Sequence, residues 1–266
     1  MSNASSGYAP VNRLDLYWES RGDGGVPLVV VHGGFAVISM LDPLLDRLAD
    51  NRRVIAVELQ GHGHTPDIGR PFTWESFGDD IAALIAHFDL GRADLLGYSL
   101  GAGACLRAAV QHARMVRRLV VVSFPFRRDG WFPEVRSSFD QMSHEGFEYM
   151  QHSPIYAAYA QVAPDPSGFP TLMDKMGELN RRAFDWTDEV KAMPMQTMLV
   201  FGDADSVPVD HIAEFYSLLG GGLSDAGWDG AARPNARLAV LPGLTHYEIT
   251  GSSHLGTVVD EFLSLP

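Results

Sequence analysis

The sequence has few basic residues and almost no cysteine. Cys105 is the single cysteine among the 266 residues, which excludes an intrachain disulfide and a zinc site made of several cysteines. The 20 basic and 33 acidic residues give a formal net charge of −13, and such a surface repels phosphate backbones and anionic membranes. We therefore expect neither a nucleic-acid partner nor a membrane partner.

Long apolar runs and targeting signals are also missing. No stretch approaches the roughly 20 apolar residues that are needed to span a bilayer, and residues 1–8 lack the basic start and apolar core of a signal peptide. We therefore expect a cytoplasmic protein in which residues 1–8 form a flexible leader. No Gly-x-Gly-x-x-Gly follows an apolar strand, so a dinucleotide-binding oxidoreductase is not favoured, and we expect no cofactor.

Short apolar runs alternate along the chain with segments of helical periodicity. Continuous apolar runs of this length are typical of strands that are buried on both faces of a parallel sheet. The alternation predicts an α/β fold, with a mostly parallel β-sheet flanked by helices. The runs cover residues 28–31, 54–57, 93–96, 119–122, 198–201 and 238–241, and helices are predicted over residues 40–50, 74–88, 102–112 and 255–265.

One long segment interrupts this alternation. Residues 126–191 contain no convincing strand but many aromatic residues, and the segment is too long for an ordinary connection. We therefore predict a core domain made of residues 1–125 and 192–266, with residues 126–191 inserted as a separate group of helices. Residues 220–235, rich in glycine and aspartate, are predicted to form a surface loop.

The strongest chemical signal is the Gly-Tyr-Ser-Leu-Gly of residues 97–101. It directly follows an apolar strand and opens a helix of small residues, which is the context of a nucleophile elbow. A serine on such a turn has a strained backbone, and only glycines fit beside it. The start of the helix supplies amide groups and a positive dipole end where an oxyanion develops. The pattern predicts that Ser99 is a nucleophile.

The His-Gly-Gly-Phe of residues 32–35 also follows an apolar strand. Acyl transfer needs two amide donors for the oxyanion, one from the residue after the nucleophile and one from this earlier loop. We predict Leu100 and Gly34 as these donors, with Phe35 as the alternative to Gly34. His32 is predicted to brace the loop through hydrogen bonds.

A serine hydroxyl is a poor nucleophile until an imidazole takes its proton, and an acid must orient that imidazole. His246 lies in a loop after the last apolar run and is the predicted base. Asp203 and Asp205 both follow the run at residues 198–201, and either could be the acid.

Metal sites are not favoured. His62 and His64 have no third ligand at a suitable spacing. Residues 203–214 superficially resemble a calcium loop, but Val207 and Pro208 stand where a ligand and a glycine are required.

Taken together, these motifs resemble the α/β-hydrolase superfamily over about residues 10–265. The matching segments are 32–34, 58–65, 97–101, 202–205 and 243–246. The resemblance implies that Asp205 is the acid, as the last residue of a Gly-x-x-Asp, and that residues 126–191 form a helical cap. Glu58 and Gln60 depart from the family pattern, which more often has Asp and Arg, and the 220–235 loop lengthens the Asp–His separation.

A nucleophilic serine argues against the haloalkane dehalogenases and epoxide hydrolases of this superfamily. The resemblance then implies a carboxylesterase or lactonase that cleaves a small to medium apolar ester or lactone through an acyl-serine intermediate. Two alternatives stay open: a carbon–carbon bond hydrolase of a vinylogous diketone, and a non-catalytic binding or receptor protein that retains the pocket. Metal-free haloperoxidases also share these residues.

The substrate pocket is expected to be apolar, because ligand sites are mostly hydrophobic with few polar groups. Aromatic residues next to predicted strand ends, and one in the insertion, are the candidates. We therefore expect a substrate that is apolar on its acyl side and has no anchoring charge. The candidate residues of the substrate pocket are Phe35, Tyr98, Phe124, Phe126 and Trp131.

Overall fold

The computed structural model describes residues 4–265, which form one eight-stranded sheet in the order β1-β2-β4-β3-β5-β6-β7-β8. The strands β3 to β8 run parallel to one another, and β1 and β2 join one edge of the sheet in antiparallel pairs. The strands are β1 Ser5–Val11, β2 Leu14–Arg21, β3 Leu28–Val31, β4 Val54–Val57, β5 Ala93–Tyr98, β6 Val116–Val122, β7 Gln196–Ala204 and β8 Arg237–Thr245.

Helices cover both faces of the sheet. One apolar cluster packs α2, α3 and α9 against one face, and a second packs α1 and α10 against the other. The predicted α/β class with a mostly parallel, helix-flanked sheet is confirmed. The helices are α1 Asp42–Leu48, α2 Trp74–His87, α3 Leu100–Gln111, α4 Pro133–Asp140, α5 Phe147–Met150, α6 Pro154–Val162, α7 Phe169–Arg181, α8 Thr187–Lys191, α9 Val209–Leu218 and α10 Ser253–Leu263.

The N-terminal strands were not predicted. Residues 5–8 belong to β1, so the expected flexible leader is wrong for them, while residues 1–3 lie outside the described part of the chain. β1 and β2 bury alternate residues, among them Ala9, Val11, Leu14 and Leu16. Antiparallel strands with one buried face contain no continuous apolar run, which was the signal used for the other strands.

Helices α4 to α8 all lie between β6 and β7, and we call residues 126–191 the cap segment. Several polar contacts connect it to the core. Among them, the Phe132 amide donates to the Ser206 carbonyl at 3.2 Å, and the Lys175 ammonium pairs with Asp67 at 2.7 Å. The 220–235 stretch has neither helix nor strand. Across residues 4–265, no helix is both long enough and apolar enough to cross a membrane.

Candidate active site

Ser99 occupies a strained turn between β5 and α3. Its φ is +52° and its ψ −117°, a conformation that L-residues rarely adopt. The Ser99 amide donates to the Val122 carbonyl at 2.9 Å, which fixes the turn on β6. A Cβ at Gly97 would lie 2.2 Å from the Gly101 carbonyl oxygen, and one at Gly101 would lie 2.3 Å from the Val31 carbonyl oxygen. Only glycine fits at either position, so the strain at Ser99 is held by close backbone packing.

The ends of three strands bring Ser99, His246 and Asp205 together. His246 Nε2 lies 3.1 Å from Ser99 Oγ, and His246 Nδ1 lies 3.0 Å from Asp205 Oδ1. Both distances are within hydrogen-bond reach for a nucleophile, its base and the acid that orients the base. His246 and Asp205 are each only 8% exposed, so these hydrogen bonds are largely shielded from water.

Asp205 accepts hydrogen bonds on both carboxylate oxygens. Besides His246, the Ser206 amide donates to Oδ1 at 2.7 Å, and the Gly202 amide and the Ser123 hydroxyl donate to Oδ2 at 3.1 and 2.5 Å. Burial alone would raise the pKa of Asp205, but the hydrogen bond and charge of His246, with the Ser123 hydroxyl and the Gly202 amide, hold it below its ordinary value. Asp205 is therefore ionised at neutral pH.

Asp203, the other candidate acid, is exposed and points elsewhere. Its Oδ1 accepts the Gly243 amide at 2.8 Å, which braces the loop that leads to His246. The structure thus brings Asp205, not Asp203, to the imidazole.

Ser123 was missed by the sequence analysis. It follows β6, is fully buried, has a φ of +57° and donates its amide to the Val200 carbonyl at 3.0 Å. A single serine after an apolar run gave no sequence signal. Its role as a hydrogen-bond donor to Asp205 is visible only after β6 and β7 are paired.

The two predicted oxyanion donors lie next to each other. Leu100 is the first residue of α3, and a Cβ at Gly34 would be 4.0 Å from the Leu100 Cβ. Neither the Gly34 amide nor the Leu100 amide donates to any acceptor within residues 4–265. Two free amides beside a nucleophile form an arrangement suited to a developing oxyanion. Met176 of α7, also missed from the sequence, covers this position: its terminal methyl would be 2.9 Å from a Cβ at Gly34.

His32 braces the loop of residues 32–35, which we call the oxyanion loop, as expected. Its Nδ1 lies 2.6 Å from the Gly33 carbonyl oxygen, and its Nε2 accepts the Leu59 amide at 3.1 Å. These bonds require the neutral tautomer with the proton on Nδ1, and complete burial lowers the pKa of His32. Within residues 4–265, no group of three or more His, Cys, Asp or Glu residues could hold a metal ion.

A model of the alpha/beta hydrolase family matches residues 28–261 of this chain. The chain belongs to the alpha/beta hydrolase family. The match covers the elbow, the oxyanion loop and the segments that carry Asp205 and His246. The predicted superfamily is therefore confirmed, and the protein is a member of a hydrolase family.

Known α/β-hydrolases similar to this one differ in what they act on. The chain is 32% identical over 114 residues to the 2-(acetamidomethylene)succinate hydrolase of Mesorhizobium japonicum. The matched residues cover 43% of this chain and 41% of that relative. The match thus spans less than half of that relative's length. A crystal structure of E-2-(acetamidomethylene)succinate hydrolase shares the fold with a TM-score of 0.74 and 22% identity, over 99% of this chain and 100% of that one. The enol-lactonase from Burkholderia xenovorans has a TM-score of 0.69 and 22% identity, over 97% and 100% of the two chains.

In this α/β-hydrolase, Tyr98 and Trp131 lie beside His246. The Tyr98 hydroxyl donates to the His246 carbonyl at 2.8 Å, and the Trp131 ring lies 5.8 Å from the imidazole. Phe35 lies on the oxyanion loop and packs on Phe169 of α7, with ring centroids 5.6 Å apart. Two of the predicted pocket residues therefore contact His246, and the third lies on the loop that carries Gly34.

Phe124 and Phe126 lie farther from the nucleophile. The Phe124 ring packs against the Trp131 ring with centroids 5.6 Å apart. Phe124 therefore supports a residue that lies beside His246. Phe126 stacks on His211 at 4.3 Å and packs on Phe215 at 5.1 Å. The structure therefore places Phe126 in the α9 side of the core and does not bring it to the triad.

The two departures from the family pattern both serve the loop after β4. Glu58 is buried and accepts the amides of Ile38 and His64 at 2.9 and 2.6 Å. Gln60 donates to Asp67 at 2.6 Å and accepts from Arg70 at 2.8 Å. The hydrogen bonds of Glu58 and Gln60 are local and involve no residue of the triad.

Proposed function

We propose that this α/β-hydrolase cleaves a small to medium carboxylic ester or lactone, apolar next to the reacting carbonyl, through an acyl-serine intermediate. The observation that carries the proposal is the hydrogen-bonded series Ser99–His246–Asp205 beside two free amides. This combination supplies a nucleophile, a base with its orienting acid, and an oxyanion site in one place.

The proposed reaction has two halves. His246 Nε2 takes the proton of Ser99 as Oγ bonds to the substrate carbonyl carbon, and the amides of Gly34 and Leu100 donate to the resulting oxyanion. The tetrahedral intermediate collapses, the carbon–oxygen bond to the alkoxy group breaks, and His246 protonates that oxygen. Water then attacks the acyl-serine with His246 again as base, which releases the acid and restores Ser99. Asp205, ionised throughout, stabilises the imidazolium.

The surroundings of Ser99 favour an apolar acyl group. Phe35, Met176 and Trp131 contribute aromatic and thioether surface around the oxyanion loop and His246. An enol-lactonase with the same fold supports the ester and lactone chemistry. The same residues would also serve the hydrolysis of a carbon–carbon bond in a vinylogous diketone, so the bond type needs a direct test.

A fluorophosphonate label followed by a substrate panel tests the proposal. We expect Ser99 to be labelled in the wild type and no label in Ser99→Ala. The panel combines neutral alkyl esters, lactones and a vinylogous 1,5-diketone. Turnover of esters or lactones supports the proposal. Turnover of the diketone alone would replace it by carbon–carbon hydrolysis, and labelling without turnover of any substrate would favour the receptor alternative.

A further inference from the structure

Arg136, in helix α4 of the cap segment, is a partly buried arginine without a partner. Its Nε is buried and makes no hydrogen bond, and its guanidinium forms no hydrogen bond or ion pair within residues 4–265. Every other partly buried arginine in that range has an acidic, carbonyl, amide or hydroxyl partner. Burying part of a charged group without a partner is unfavourable, so a ligand could supply the missing partner.

One face of the helix that carries Arg136 is linked to the active site through aromatic rings. Its less exposed positions are Val135, Arg136 and Phe139, and residues three or four apart share one helix face. Phe139 packs on Trp131 with ring centroids 5.6 Å apart, and Trp131 lies 5.8 Å from the His246 ring. Two ring contacts therefore connect His246 with the face of α4 on which Arg136 lies.

We propose that Arg136 binds a carboxylate at the end of the substrate remote from the bond that Ser99 attacks. This inference rests on the proposed function and names its substrate class: esters or lactones that also carry a free carboxylate. The planar guanidinium matches a carboxylate with two parallel hydrogen bonds. A local cation also offsets the repulsion of an anion by a protein with a net charge of −13. The substrate then has an anchoring charge, contrary to the expectation from the sequence.

Two matched ester series test the proposal. The first contains monomethyl esters of linear dicarboxylic acids, and the second contains methyl alkanoates of equal chain length. In Arg136→Gln, kcat/KM for the carboxylate series should fall by about 10- to 100-fold, the effect of losing a charged hydrogen-bond partner, while the neutral series is nearly unchanged. Arg136→Lys should retain part of the preference, because lysine keeps the charge but not the fork.

Arg182→Gln is the matched control, since Arg182 is an exposed arginine at the end of α7 whose side chain makes no hydrogen bond within residues 4–265. It removes the same charge and should affect neither series. An equal loss on both series in Arg136→Gln would show a packing role, and an unchanged carboxylate series would show that Arg136 binds no carboxylate. Either result overturns the proposal.

A binding measurement separates this inference from the proposed function. Calorimetric titration of adipate monomethyl ester into Ser99→Ala, with and without Arg136→Gln, needs no turnover. We expect at least tenfold weaker binding in the double variant. Equal affinities would overturn the role of Arg136 even if Ser99 is the nucleophile. An Arg136-dependent affinity would stand even if the wild type hydrolyses no ester.

Discussion

Replacing Ser123 by alanine removes the shorter of the two hydrogen bonds to Oδ2 of Asp205 and leaves only the Gly202 amide, 3.1 Å away. A hydrogen bond to a charged group contributes about 1.5–3 kcal/mol, and the free energy of unfolding at neutral pH should fall by a similar amount. For a protein of this size, 1 kcal/mol corresponds to about 2–4 °C, so Tm should decrease by about 3–12 °C.

The pH dependence follows from the lowered pKa of Asp205. A depressed carboxyl pKa stabilises the folded state above the unfolded-state pKa, and this contribution is lost as the pH falls through the folded-state pKa. Ser123→Ala weakens this contribution. The difference in the free energy of unfolding between wild type and variant should therefore be largest at neutral pH and should become smaller in acid. Turnover should fall by only about 10-fold or less, because the bond is present before and during the reaction.

Thermal unfolding of four proteins tests this reasoning: the wild type, Ser123→Ala, Asp205→Asn and the double variant. In the Asp205→Asn background the carboxylate is gone, so Ser123→Ala should cost much less stability. An equal cost in both backgrounds, or a cost that does not depend on pH, would refute the idea that Ser123 acts through the charged Asp205.

Asp205→Asn should lower kcat/KM by about 10⁴-fold, because an amide favours the wrong imidazole tautomer. Asp203→Asn should have a far smaller effect, since Asp203 binds only a loop amide. If steady-state kinetics gave the reverse ranking, Asp203 would be the acid. Lengthening the acyl chain of a neutral ester should raise kcat/KM by up to about 10-fold per methylene until the pocket is full. Trp131→Ala and Met176→Ala should extend this series to longer chains, while Tyr156→Ala, inside the cap segment, serves as the control. A flat series that neither substitution alters would contradict the proposed pocket.

The sheet and the elbow could be predicted because their sequence signals are local. Buried parallel strands are continuously apolar, and the glycines at 97 and 101 flank the serine in a short motif, where close backbone contacts require them. The residue that orients His246 could not be identified from the sequence pattern alone. Asp203 is the last residue but one of β7 and Asp205 directly follows the strand, and only the path of the chain at this strand end decides which carboxylate meets His246.

The remaining site residues depend on tertiary packing that has no local signal. Phe126 is close in sequence to a strand end, yet its side chain turns toward α9, and Trp131 reaches His246 from the cap segment. Met176 could not be identified, since its position over Gly34 depends on how α7 lies on the core. Arg136 stands out only because its side chain has no partner in the described part of the structure, and no sequence pattern shows this.

An acyl group on Ser99 during turnover is the most direct sign of the proposed mechanism. The measurement is rapid acid quenching of the wild type during turnover of an activated ester, followed by mass spectrometry of the peptide that contains residues 97–101. We expect a mass increase equal to the acyl group on Ser99, no such increase in Ser99→Ala, and a loss of turnover by orders of magnitude in that variant. An unmodified Ser99 throughout turnover, or near-native activity of Ser99→Ala, would contradict the mechanism.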